Sequence, residues 1–170
     1  MYKPVIFIMS GMSFAGKTTL AAQLSNKLNI PVIDPDKVSN EMGLGLNGEF
    51  IPEEIWRQIH AESEKRVKKL LKEGKSLIYD TTALNKIQRD NLRKLAISAK
   101  AKPIVIVINI SRDEAYRRWA DNNRTQARFR VHIDDFNMCA DGFEFPGEGE
   151  EYLVFNFGED MDTWITKNFG

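Results

Sequence analysis

Apolar residues in this chain fall into short, nearly unbroken runs separated by longer stretches where they recur every three or four positions. The runs are Val5-Ile6-Phe7-Ile8-Met9, Ile30-Pro31-Val32-Ile33-Asp34, Ser76-Leu77-Ile78-Tyr79-Asp80, Pro103 to Ile110 and Tyr152-Leu153-Val154-Phe155-Asn156. Their length and β-branching predict five strands, and the lack of alternation in Ile104 to Ile108 predicts burial on both faces, as in a parallel sheet. Between them the spacing turns helical. Leu20, Leu24 and Leu28 mark a helix from Lys17 to Leu28. A long helix opens at Pro52 with Glu53 and Glu54, carries Ile55, Ile59, Val67, Leu70 and Leu71 on its buried side, and closes with Lys68, Lys69 and Lys72 before Gly74. Asn85 is placed to cap a helix with Ile87, Leu92, Leu95 and Ala96 on one side, and further helices are predicted over 113–122, 134–138 and 162–169. Strands alternating with helices give an α/β class, a three-layer α/β/α sandwich around a five-stranded parallel sheet.

The connection after the first strand carries the chemistry. Gly11-Met12-Ser13-Phe14-Ala15-Gly16-Lys17-Thr18 fits G-x-x-x-x-G-K-[ST], the phosphate-binding P-loop, in the strand-loop-helix order the motif requires; Thr19 continues it. Gly11 and Gly16 allow backbone angles that turn successive N–H groups toward an anion. The helix N-terminus adds a partial positive charge of about half a unit. Lys17 is the residue to reach the β- and γ-phosphates of a nucleoside triphosphate, and the Thr18 hydroxyl to ligate Mg2+. The next two strands close on carboxylates, Asp34 and Asp36 after the second and Asp80 at the end of the third, on the sheet edge where ligands bind in open α/β folds. Asp34 and Asp36 could simply cap a following helix, but with the P-loop beside them a catalytic base is the favoured reading for one of the two. Asp80 has three readings: holding magnesium, orienting the acceptor or Lys17, or bonding neighbouring backbone. Gly43-Leu44-Gly45-Leu46-Asn47-Gly48 predicts a mobile loop.

Composition adds bounds. A chain of 170 residues suits a single domain, 1–170. Its 24 basic and 24 acidic side chains cancel, which gives no whole-chain attraction for nucleic acid or anionic membrane. The distribution is uneven: Arg112, Arg117, Arg118, Arg124, Arg128 and Arg130 crowd one segment, while from Asp134 onward ten acidic residues face a single base, Lys167. The arginines read either as a lid of about 117–130 over a nucleotide or as a solvated face paired with the acidic third. Cys139 is alone, which excludes an intramolecular disulfide and a CxxC site. No run approaches the roughly 18 apolar residues of a membrane span. The expectation is a soluble, cytoplasmic protein with no obligate protein partner. His60 and His132 read as structural, and Trp56, Trp119 and Trp164 as packing, with Trp119 a weaker candidate for stacking on adenine.

What is missing narrows the chemistry. A GTPase D-x-x-G is replaced by Asp80-Thr81-Thr82-Ala83, and its N-K-x-D by Asn85-Lys86-Ile87-Gln88. Asp36 beside the phosphates, Asp80 next to the loop and an arginine lid suit phosphoryl transfer to a hydroxyl. Over most of its length the chain resembles P-loop kinases related to the 5′-kinase domain of polynucleotide kinase, zeta toxins and chloramphenicol phosphotransferase. The resembling pieces are Gly11 to Thr19, Val32 to Asp36, Asp80 to Asn85 with Arg89 and Arg93, and the Arg117-Arg118 to Arg124 lid. The resemblance implies a P-loop nucleoside triphosphate hydrolase fold of kinase type and ATP with Mg2+ as cofactors. It implies Asp36 as general base, with Asp34 less favoured, and Arg118 and Arg124 on the ATP phosphates, with Arg128 a further candidate. Thr18 and Asp80 are the metal candidates. The expected acceptor is a small molecule, a nucleotide or a nucleic-acid 5′ end. The proline pair with trailing acids found in that family is reduced here to Phe145-Pro146-Gly147-Glu148. The competing expectation is an ATP-binding switch with only weak ATPase activity.

Overall fold

The computed structural model describes residues 3–44 and 50–170. The elements follow as β1 (Val5–Ser10), α1 (Lys17–Leu28), β2 (Val32–Ile33), α2 (Pro35–Glu41), α3 (Glu53–Lys72), β3 (Leu77–Tyr79), α4 (Lys86–Ser98), β4 (Lys102–Asn109), α5 (Arg112–Thr125), α6 (Ile133–Asp141), β5 (Leu153–Asn156) and α7 (Met161–Phe169). The sheet is ordered β2-β3-β1-β4-β5, and every pairing is parallel. β1 is therefore central. Ile8 pairs with Tyr79 on one side and Val105 on the other, so the residues just beyond β1 and β3 emerge side by side at the carboxyl edge.

Burial explains the unbroken runs. Side chains alternate across a strand, and both faces of this sheet are covered. Phe7 and Met9 of β1 join Leu20, Leu24, Ile106, Ile108, Phe155 and Trp164 in one core layer, while Ile6 and Ile8 join Val67, Leu71, Leu77, Tyr79, Leu92 and Val105 in the other. Each fully buried Leu or Ile contributes about 1.5–3 kcal/mol.

The structure differs from the expected elements in four places. Asp34 and the residues after it form α2, whose proline-led first turn is closed by Asp34 Oδ1 accepting the Asp36 N–H at 2.9 Å. Helix α5 runs a turn beyond Asn122 and takes Arg124 into its last turn. Helix α6 starts from a His132 cap and reaches Asp141. Ile87, expected on the packed side of α4, is 73% exposed. The buried stripe of α4 runs through Arg89, Leu92 and Ala96, and a residue two positions before Arg89 lies about 200° around the helix from it. Of the glycine-rich segment expected to be mobile, Gly43 and Leu44 are described and residues 45–48 lie outside the described residues.

Candidate active site

The loop between β1 and α1 wraps its own lysine. Gly16 has φ 108° and Phe14 φ 61°, left-handed conformations that glycine tolerates and that cost other residues about 1–2 kcal/mol. Lys17 Nζ lies inside the curl, donating to the carbonyls of Gly11 at 3.0 Å and Met12 at 2.6 Å. Burial lowers its pKa; Cys139, Asp80 and Asp36, in that order, pull it back up. The loop is fastened from behind, where Gly11 N–H donates to Thr82 O at 2.9 Å and Ser10 Oγ to Ala83 O at 2.9 Å. Helix α6 holds its far side, with Ser13 N–H on Cys139 Sγ at 3.2 Å.

Two carboxylates, Asp36 and Asp80, act on Lys17, and Asp34 lies beside both of them. Asp34 is committed to capping α2. Asp80, 7% exposed, has its pKa raised by desolvation and lowered by the Thr18 hydroxyl that bonds it and by Lys17. Asp36 is an exposed residue whose carboxylate accepts no hydrogen bond among the described residues. Its carboxyl is pushed up to about 6, first by desolvation where protein crowds it, then by Asp34 and Asp80, against the pull of Lys17. The sequence-predicted residues Lys17, Thr18, Asp36 and Asp80 are thus brought together.

The arginines divide. Arg118 reaches over the loop, its Nη1 donating to the carbonyls of Phe14 and Ala15, both at 3.2 Å, while Nε pairs with Glu114 at 3.0 Å. Its guanidinium lies 5.2 Å from the Phe157 ring centroid, a cation–π contact. Arg128 Nη2 donates to the Thr19 hydroxyl at 3.0 Å, in the first turn of α1. Arg124 points to solvent, 78% exposed and 3.5 Å from Asp121, and is not brought to the loop. Between α5 and the β5–α7 turn opens a cavity of about 590 Å³ lined by Phe14, Thr19, Arg118, Asn122, Phe157 and Gly158 among others. Sequence reasoning missed the Phe157-Gly158 turn as a wall of this cavity. Its position at the carboxyl end of β5 was the available signal. Trp119 stays in the packing, stacked near Tyr116 and Phe136 with its indole N–H on Val131 O.

A buried ion pair supports the floor of the site. Arg89 and Glu150 have side chains 0% and 2% exposed and meet at 2.8 and 2.9 Å. Arg89 also donates to the carbonyls of Leu84 and Glu144, and Arg93 to Glu150 at 2.9 Å. This ties the 144–151 loop onto the 81–85 segment that backs the P-loop. Glu150 lies 61 residues from Arg89, and nothing in the local sequence marks it as the partner.

Comparison with known proteins agrees with this geometry. The chain is similar over 98% of its length to a candidate kinase from Chloroflexus aurantiacus, at 22% identity with 94% of that chain covered and a TM-score of 0.79. It is similar to Kti12 from Chaetomium thermophilum, solved with ADP-AlF3, at 17% identity, 95% and 96% coverage and a TM-score of 0.74. It is similar to the APS kinase of Mycobacterium tuberculosis, solved with AMPPNP and APS, at 14% identity, 98% and 96% coverage and a TM-score of 0.73. The profile described as an AAA domain matches residues 6–146. A central β1 ending in a curled, lysine-filled loop, in a parallel sheet shared with these structures, makes this chain a member of the AAA domain family with the fold of the P-loop kinases.

Proposed function

We propose that the chain is one kinase domain spanning 1–170 that moves the γ-phosphoryl group of ATP to an acceptor hydroxyl. The observation that carries this reading is Asp36, a carboxylate free of the cap that occupies Asp34 and near enough to Lys17 for each charge to act on the other. As general base it takes the acceptor's hydroxyl proton. The oxygen then bonds to the γ-phosphorus as the bond to the β–γ bridging oxygen breaks, leaving ADP. Lys17, released from the Gly11 and Met12 carbonyls, turns its charge to the phosphates, and the loop N–H groups of Gly11 to Thr18 hold them. The nucleoside then lies in the cavity beside Arg118 and Phe157, with Arg128 at the first turn of α1. Arg124 contributes after the lid closes.

The metal site fits a hard cation. The Thr18 hydroxyl and the Asp80 carboxylate are already bonded to each other, an all-oxygen pair of the kind Mg2+ uses together with water and phosphate oxygens. Bound there, Mg2+ would neutralise charge on the phosphates.

Two expected results test the reading. Incubation with γ-labelled ATP and a panel of nucleosides, sugars, amino alcohols and 5′-hydroxyl oligonucleotides should label an acceptor; slow hydrolysis with no labelled acceptor would instead favour the nucleotide switch. A nucleic-acid acceptor would further show binding that weakens steeply with salt. Arg118→Ala should raise the Kd for an ATP analogue by about tenfold, because the Phe14 and Ala15 carbonyls and the Phe157 ring lose one shared charged partner. An unchanged Kd in a calorimetric titration would mean that Arg118 does not shape the nucleotide site. No helix among the described residues is long and apolar enough to cross a membrane, and the site is proposed to work on dissolved acceptors in the cytoplasm.

A further inference from the structure

Helix α5 turns one face to the P-loop. Glu114, Arg118 and Asn122 recur every four residues along it, so their side chains leave the helix on the same side. Glu114 accepts Arg118 Nε at 3.0 Å, and Arg118 reaches the Phe14 and Ala15 carbonyls. Asn122, the third member, is polar yet only 6% exposed. Its hydrogen bonds go to the backbone just beyond the helix. There α5 ends as Gln126 takes a left-handed conformation, φ 53°, and its N–H closes on the Asn122 carbonyl at 2.7 Å. The chain then doubles back. Asn122 Oδ1 accepts the Arg128 N–H at 2.8 Å, while Nδ2 donates to the carbonyls of Arg128 at 3.4 Å and Phe129 at 3.2 Å. A backbone N–H needs an oxygen as its acceptor, so the amide has only one way round.

The turn held in this way carries Arg128 to the P-loop helix. Its Nη2 donates to the Thr19 hydroxyl at 3.0 Å, across 109 residues of chain. Thr19, Arg118, Asn122 and Arg128 line the same cavity. In the order of the loop Lys17 serves the β- and γ-phosphates and Thr18 the metal, so Thr19, the next residue, lies toward the α-phosphate and the nucleoside. An arginine on an untethered segment would lose both backbone and rotamer freedom on gripping a phosphate. Here the backbone is already ordered by Asn122, and an ordered group binds with less entropy to lose.

Resting on the nucleotide placement of the kinase reading, we infer that Asn122 is a positioning residue for nucleotide binding. It fixes the 126–129 turn so that Arg128 meets the α- and β-phosphates with its backbone already in place. Asn122 carries no charge and acts through Arg128. When nucleotide enters, the Arg128 guanidinium exchanges the Thr19 hydroxyl for a phosphate oxygen, and no covalent bond changes.

The test is a double-mutant cycle, read by calorimetric titration of ADP and AMPPNP into the wild-type chain, Asn122→Ala, Arg128→Ala and the double variant. Each single variant should raise both Kd values by a common factor of about tenfold, the worth of a hydrogen bond to a charged group. The double variant should be little worse than either single one, because Asn122 has nothing left to position once Arg128 is gone. A merely structural role would give losses that add. Arg128 is exposed, so water can take up the backbone groups that Asn122→Ala releases, and the variant should fold. If it does not, Asn122→Asp carries the same cycle: it keeps an oxygen for the Arg128 N–H and sets a carboxylate against the two carbonyls. Additive losses, an unchanged Kd in the Asn122 variant, or a loss confined to AMPPNP would overturn the inference. Coupled losses in a protein that labels no acceptor would overturn the kinase reading and leave this inference standing, and additive losses in one that labels an acceptor would do the reverse. Failure to bind either nucleotide would overturn both.

Discussion

Asp36→Asn is expected to lower kcat for phosphoryl transfer by about 10²–10⁴-fold, the usual worth of a positioned general base, while the Kd for an ATP analogue changes less than about twofold. The amide keeps the shape of the side chain, and Asp34, not Asp36, accepts the N–H that closes α2, so the helix should be undisturbed. The Gly11 to Thr18 loop is built from other residues. A companion expectation concerns pH. A base works when ionised, and because its carboxyl is pushed up to about 6, kcat/KM should rise with pH through about 6 and flatten above it, with the slope absent from the residual activity of Asp36→Asn. Unchanged turnover in the mutant, or a flat profile from pH 5 to 7, would take Asp36 out of the mechanism.

Glu150→Ala is expected to cost about 3–5 kcal/mol of folding stability, the penalty for leaving the fully buried Arg89 charge without its counter-ion. That is a large share of the 5–15 kcal/mol typical of a folded domain. Chemical denaturation should show the midpoint falling with little change in slope. Because the 144–151 loop is held on Arg89 and on the Leu84 carbonyl, nucleotide affinity should fall as well, the backing of Gly11 by Thr82 being loosened. A matched pair of apolar replacements, Arg89→Met with Glu150→Leu, should recover much of the stability, since it removes both charges together. Acid gives a second readout. The Arg89 hydrogen bond, first among several causes, holds the Glu150 carboxyl down at about 2. With its folded pKa depressed, its contribution is complete above the unfolded value near 4.5 and is lost as pH falls toward 2. The wild type should lose more stability than Glu150→Ala across that window. Equal stability of the two proteins at neutral pH would show that the pair is dispensable.

Much of the architecture was legible from the chain. The run Ile104 to Ile108 has no alternation because β4 is covered on both faces, so its burial on both sides could be inferred without a partner strand in hand. The α3 boundaries were marked by Pro52 and Gly74 because helix termini depend on backbone chemistry that residue type specifies directly. Ile87 misled for the opposite reason: an apolar residue states a preference for burial and not which side of a helix will meet the sheet. Arg118 was legible as a cation in the right segment, whereas its two contacts on the loop carbonyls depend on how α5 lies across α1, over a separation of 103 and 104 residues.

The sequence alone determined that a glycine-framed loop ending in Lys17-Thr18 follows a buried strand and starts a helix, because the conformations and N–H groups that receive a phosphate are local properties of those eight residues. Which carboxylate is spare is settled locally but only on folding, since Asp34 and Asp36 are alike until α2 forms and Asp34 closes it. Tertiary structure decided the longer-range contacts: that Arg89 is a buried strut joined to Glu150, and that Arg118 reaches the Phe14 and Ala15 carbonyls. Those arrangements join residues tens of positions apart, and their geometry is set by packing against the sheet, which no local pattern of residue types encodes.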